Sequence, residues 1–172
     1  MLRWKGGAGL AAKEEYIRDL VEKYGNMVLR LSYAYMKSQA DAEDVVQEVF
    51  LKLIDKEPAF NDTEHEKSWI IRTTINICKN KLKCFWKRNV GSMENIKEFP
   101  CFDSYAEDSH VLKAVLSLPE KYRIVIHLYY YEEYTTPEIA ALLGKNTATV
   151  RSLLHRAREK LKLTLKEAYD FA

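Results

Sequence analysis

The chain has 172 residues, 47% of them hydrophobic and 30% charged, with a formal net charge of +2. That length allows one domain or two small ones, and no apolar run approaches the roughly 18 to 20 residues of a membrane-spanning helix. The opening MLRWKGGAGL lacks the apolar core of a signal peptide, so a cytoplasmic protein without membrane insertion is expected.

Residues 1–11 read as an N-terminal tail, and an N-terminal helical unit follows over 12–88, with helices near 13–36, 40–56 and 66–86. In the second of these helices Val45, Val46, Val49, Phe50 and Leu53 face inward at helical spacing, while Asp44, Gln47, Glu48 and Leu51 share the outer face. A leucine framed by two carboxylates and an amide suits a basic, partly apolar partner. Asp44 and Glu48 at i and i+4 could also hold a metal, but no histidine or third carboxylate joins them, so no metal site is expected.

The third helix, KSWIIRTTINICKNKLKCFWKR, is one of two basic islands. Residues 1–66 carry 9 basic and 13 acidic groups, 67–88 carry 7 and 0, 89–137 carry 4 and 8, and 138–172 carry 7 and 4. Acidic surroundings oppose indiscriminate coating of nucleic acid and favour two separate contacts. At 100° steps Ile71, Ile75, Cys78 and Leu82 form the core stripe. Trp69, Thr73, Asn76 and Asn80 lie opposite, flanked by Arg72, Lys79 and Lys83. Unpaired bases would occupy all of these groups, since an indole stacks, asparagine pairs with base edges and cations hold the backbone. The competing reading is that Trp69 packs beneath a neighbouring loop or helix.

Residues 89–108 are acidic, contain glycine and proline, and show no sustained period, as in a flexible linker. The second unit, 109–172, carries four helices, and SLPE at 117–120 has the S-x-x-E form of a capping box before the helix with Tyr122 to Tyr131. The stretch 134–162, YTTPEIAALLGKNTATVRSLLHRAREKLK in its surroundings, is the strongest signal in the chain. Thr135 or Thr136 caps a short helix with Pro137 at its first position, Ile139, Ala140, Leu142 and Leu143 face the core, Gly144 stops it, and Lys145 and Asn146 complete the turn. Thr147 opens a second helix whose Val150, Leu153, Leu154, Ala157 and Leu161 face inward, leaving Thr149, Arg151, Ser152, His155 and Arg156 outside. This reads as a helix-turn-helix, whose second helix would enter the major groove of DNA; the alternative is a basic surface on an ordinary helical hairpin.

Cys78, Cys84 and Cys101 form no C-x-x-C pair, and His65, His110, His127 and His155 share no ligand spacing. The fold class expected is all-α, with two small helical domains and no cofactor.

Three motifs, DAEDVVQEVFLKL at 41–53, SWIIRTTINICKNKLK at 68–83 and the block from LPEKYR to HRAREKLK at 118–162, together resemble the extracytoplasmic-function group of the bacterial sigma-70 family, over roughly residues 12–165. The resemblance implies a sigma factor that directs RNA polymerase core to promoters and helps melt the minus-ten region, and not an enzyme. It implies that Asp44, Gln47, Glu48 and Leu51 meet the β′ clamp helices. Trp69, Arg72, Thr73, Asn76, Lys79, Asn80 and Lys83 would bind the minus-ten non-template strand, with Phe60, Asn61 and Asp62 of the preceding loop pocketing a flipped base. Arg151, Ser152, His155 and Arg156, with Thr149, would read the minus-thirty-five duplex, other surfaces of the second unit would meet the β flap, and the linker would thread toward the RNA exit path. An anti-sigma factor is also implied. Met1 to Gly9 match no motif of the family, and Cys84, Phe85 and Trp86 end the third helix with more aromatic character than is usual there. A stand-alone helix-turn-helix regulator would use 134–162 equally well, but gives no reason for the Trp69 to Asn80 face or the outward Leu51. An enzyme acting on nucleic acid is disfavoured because no nucleophile, metal cluster or phosphate-binding glycine loop is present.

Overall fold

The computed structural model describes residues 10–88 and 110–170, with side chains described over 13–85 and 110–166. Among the described residues every regular element is an α-helix, which gives the expected all-α class: α1 (Leu10–Met36), α2 (Gln39–Lys56), α3 (Thr63–Arg88), α4 (His110–Ser117), α5 (Glu120–Tyr130), α6 (Thr136–Leu143) and α7 (Thr147–Asp170). The chain divides into two compact units, one built on α1 to α3 and the other on α4 to α7. The 89–108 segment and Met1 to Gly9 lie outside the described residues.

In the first unit α1 packs against α3. Leu20, Tyr24, Met27, Val28, Leu31 and Tyr35 of α1 recur at three- and four-residue intervals, and all are buried. Against them α3 presents Ile70, Ile71, Thr74, Ile75, Ile77 and Cys78, none more than 1% exposed. At 100° per residue these six span nearly half the helix circumference, a wider arc than the expected stripe of Ile71, Ile75, Cys78 and Leu82. Leu82 itself is only half-buried. The one polar member, Thr74, satisfies its hydroxyl by donating to the Ile70 carbonyl at 2.8 Å. From α2 come Ala42, Val45, Val49, Phe50 and Leu53, while Val46 sits half-buried at the margin.

Helix α3 starts three residues earlier than its hydrophobic period indicates, because Asp62 caps it. The Asp62 carboxylate accepts the His65 amide at 2.7 Å, and its carbonyl accepts the Glu66 amide at 3.1 Å.

In the second unit α5 is buried almost all round, from Tyr122 through Leu128. It packs against α4, α6 and α7. The expected capping box at 117–120 does not form. The Ser117 hydroxyl points back to the Ala114 carbonyl at 2.7 Å, and Pro119 occupies the N-cap of α5 without a side-chain cap. Arg123 satisfies the other side of the junction, the carbonyls at the end of α4. Buried to 3% exposure, its guanidinium donates to the Leu118 carbonyl at 2.5 Å and the Leu116 carbonyl at 3.3 Å, where α4 ends. Burial lowers its pKa, and Glu120 opposes that shift.

The turn between α6 and α7 is fixed by Gly144, which adopts φ 64° and ψ 41°. Its amide and that of Lys145, the latter at 2.9 Å, both donate to the Ala140 carbonyl. A Cβ there would meet no atom within 4 Å, so only backbone strain opposes a side chain. Replacing Gly144 with alanine is expected to destabilise the protein by about 1 kcal/mol, seen as a lower urea midpoint without a change in slope.

Candidate nucleic-acid interface

The buried arc of α3 determines what is left for function. On its outer strip Arg72, Asn76, Lys79, Asn80 and Lys83 are exposed, and Trp69 and Thr73 are half-buried. No carboxylate lies between Trp69 and Lys83. The competing reading of Trp69 is met in part: Phe60 of the preceding loop packs edge-on against the indole, ring centroids 5.8 Å apart, and leaves it half-buried on the outer strip. Phe60 also meets the His65 ring edge-on at 5.7 Å. His65 Nδ1 accepts the Asn61 amide at 3.4 Å. Phe60 is therefore half-buried and Asn61 exposed, while the exposed Asp62 has one carboxylate oxygen engaged in the cap of α3.

On α2 the residues Asp44, Gln47 and Leu51 are exposed, Leu51 to 58%. Glu48 is half-buried and paired, with Lys52 at 3.2 Å one turn on and with Lys81 of α3 at 3.6 Å. Lys81 is a neighbour that sequence reasoning missed. Its position on the helix wheel, away from the flanking cations, was the available signal.

The helix-turn-helix is built as its sequence indicates. Thr135 is the N-cap of α6, with Pro137 in the first turn. The Glu138 carboxylate accepts the Thr135 amide at 2.8 Å and its hydroxyl at 2.5 Å, closing a capping box. Asn146 does more than complete the turn: its Oδ1 accepts the Thr149 amide at 2.7 Å, which caps α7. Along α7, Val150, Leu153, Leu154 and Ala157 are buried, and Leu161 is half-buried. Arg151, Ser152, His155 and Arg156 are exposed, with Thr149 half-buried at the mouth of the turn. One further cation is committed elsewhere. Arg158 donates from Nε to the Tyr130 hydroxyl at 2.9 Å and lies over the Tyr129 and Tyr130 rings at 5.3 and 5.6 Å.

Among the described residues no group of three or more histidine, cysteine, aspartate or glutamate side chains is arranged to hold a metal ion, and no helix is long and apolar enough to cross a membrane. Cys78 is buried and Cys84 exposed, while Cys101 lies outside the described residues.

A capped, glycine-turned helix pair whose second helix is apolar behind and cationic in front defines a helix-turn-helix DNA-binding protein. The family comparisons narrow that class. Residues 20–88 match the model of sigma-70 region 2, and residues 110–161 match that of sigma-70 region 4. The chain is 31% identical to RNA polymerase sigma factor SigV of Bacillus subtilis, over 79% of this chain and 82% of that protein. It is 30% identical to the ECF RNA polymerase sigma-E factor of Escherichia coli, over 83% and 82% of the two chains, and 29% identical to the ECF sigma factor SigL of Mycobacterium tuberculosis, over 97% of each. Its fold resembles that of the sigma factor RpoE of Bartonella quintana, solved with the anti-sigma factor NepR, at a TM-score of 0.73 and 19% identity, covering 88% of this chain and 98% of that one. The chain belongs to the sigma-70 family, in its extracytoplasmic-function group, and is a transcription initiation factor that directs RNA polymerase to promoters.

Hydrogen bonds from the Thr135 side chain and backbone hold the Glu138 carboxyl below its ordinary pKa. A depressed folded pKa means that the capping box stabilises the fold above the ordinary glutamate pKa and ceases to do so as pH falls through the depressed value. Glu138→Ala is accordingly expected to lower the thermal midpoint at pH 7, with the gap from wild type closing below about pH 4. Differential scanning calorimetry at several pH values checks this.

Proposed function

We propose that the two units divide promoter recognition between them, each contact being modest by itself. In this reading the outer strip of α3 receives the minus-ten non-template strand. Trp69 supplies a stacking surface, Thr73, Asn76 and Asn80 pair with exposed base edges, and Arg72, Lys79 and Lys83 grip phosphates. Phe60, Asn61 and Asp62 border the point where a flipped base would enter. Extruding a base costs a few kcal/mol of stacking, and the aromatic contacts at Phe60 and Trp69 are suited to recover it.

The exposed side of α7 reads the minus-thirty-five element as duplex, through Thr149, Arg151, Ser152, His155 and Arg156. Asp44, Gln47, Glu48 and Leu51 of α2 dock on the β′ clamp helices, and other surfaces of the second unit meet the β flap. Core polymerase fixes the separation of the two DNA contacts and so raises the effective concentration of the second once the first is made. The protein itself catalyses nothing. It works in the cytoplasm, and the 89–108 segment threads toward the RNA exit path. An anti-sigma factor is a further partner, a proposal supported by the fold-level neighbour solved with the anti-sigma factor NepR.

The observation that carries this reading is the carboxylate-free outer strip of α3, where an indole and two asparagines stand among cations on a helix otherwise committed to the core. Run-off transcription with bacterial core polymerase across a promoter library tests it. New start sites are expected only when the chain is added; identical initiation without it would overturn the reading. Leu51→Ala should weaken core binding about tenfold in a fluorescence titration while leaving the thermal midpoint unchanged, because the side chain is largely solvated. Trp69→Ala should retain core binding and lose about 1 to 3 kcal/mol of open-complex stability, measured by permanganate footprinting. Arg151→Ala should weaken duplex binding by the holoenzyme and flatten its preference at one minus-thirty-five position.

A further inference from the structure

The first turn of α3 carries a carboxylate that is turned toward α1 and largely shielded from solvent. The Glu66 side chain is 12% exposed. It gathers three donors from α1: the Tyr24 hydroxyl at 2.8 Å and Lys23 Nζ at 3.0 Å, both on Oε1, and the Tyr16 hydroxyl at 3.2 Å on Oε2. Burial, reinforced by this carboxylate, raises the pKa of both phenols, so they remain donors at any physiological pH. Charge-assisted bonds to one nearly enclosed carboxylate are strong and directional.

Their location matters more than their number. Glu66 follows the Asp62 cap by one turn and precedes Trp69 by three residues, and the Trp69 ring touches Phe60 of the loop that leads into the cap. The loop, the cap and the indole thus form a short assembly that is held from behind by Glu66.

We propose that Glu66 is a positioning residue for base capture: by tying the first turn of α3 to Tyr16, Lys23 and Tyr24 it fixes the spacing of Phe60 and Trp69 that a flipped base requires. This rests on the assignment of Trp69 to the minus-ten strand. Small misplacements of a binding group cost large factors when an unfavourable step, here base extrusion, must be driven by contacts in one geometry.

The test compares Glu66→Ala, Glu66→Gln, Tyr24→Phe and Trp69→Ala in holoenzyme, on a duplex promoter and on the same promoter pre-melted over the minus-ten region, with 2-aminopurine at the base to be flipped. Glu66→Ala should reduce the rate of duplex opening by about tenfold or more and shrink the 2-aminopurine signal, while core affinity and initiation on the pre-melted template stay within about threefold of wild type. Glu66→Gln should recover most of the loss, because an amide oxygen accepts from Tyr24 and Lys23 and its NH2 can donate to Tyr16. Tyr24→Phe should give a smaller loss of the same kind. If Trp69→Ala fails to open duplex while Glu66→Ala opens it normally, the positioning role is wrong and the minus-ten assignment survives. If Glu66→Ala and Tyr24→Phe lower core affinity and pre-melted initiation as much as duplex opening, Glu66 is a general folding element and the proposal falls. If Trp69→Ala opens duplex normally, the assignment on which the proposal rests falls with it.

Discussion

The structure of the first unit turns on the burial of one broad side of α3, the helix whose other side is proposed to contact DNA. Six consecutive-face side chains from Ile70 to Cys78 are withdrawn from water almost completely. Fully burying a large aliphatic side chain is worth about 1.5 to 3 kcal/mol, so this arc dominates the helix and leaves a narrow strip for anything else. The strip is rigid for the same reason, because rotating it would expose the isoleucines. α7 obeys the same constraint with Val150, Leu153, Leu154 and Ala157. On the proposed function, a nucleic-acid face built this way is aligned before it meets its target, which limits the ordering cost of binding.

The side of α2 proposed to meet polymerase is less independent than its own residues suggest. Glu48 pairs with Lys81 of α3, so the face assigned to the clamp helices and the helix assigned to DNA share an ion pair. Pairs as open to solvent as this one contribute little stability. Their effect lies in where the charge is spent, since Lys81 is drawn toward α2.

Legibility from sequence followed the range of the interactions. The turn at Gly144, the Thr135 cap and the inner face of α7 depend on neighbours three or four residues away, and the sequence carries them openly. SLPE at 117–120 has the same local form and failed, because Ser117 belongs to α4 and turns back to Ala114 while α5 begins at Glu120 behind Pro119, so serine and glutamate do not stand at the N-cap and third positions. The early start of α3 was missed because hydrophobic period registers burial, and its first turn is polar and held by Asp62. Trp69 could not be resolved by its helix position alone, since Phe60 reaches it from outside the helix. Glu66 was invisible for a related reason: Tyr16, Lys23 and Tyr24 lie more than forty residues earlier in the chain.

Arg158 bears on how the second unit responds to its ionic surroundings. A basic helix invites the assumption that every cation displaces a condensed counterion from DNA, and each one that does steepens the fall of affinity with salt. Arg158 is clasped by Tyr129 and Tyr130, so the front of α7 has fewer mobile charges than its composition suggests. On the proposal that α7 reads duplex DNA, a clasped Arg158 displaces fewer counterions than a free one would, so the salt dependence of binding is shallower than the number of cations on the helix implies.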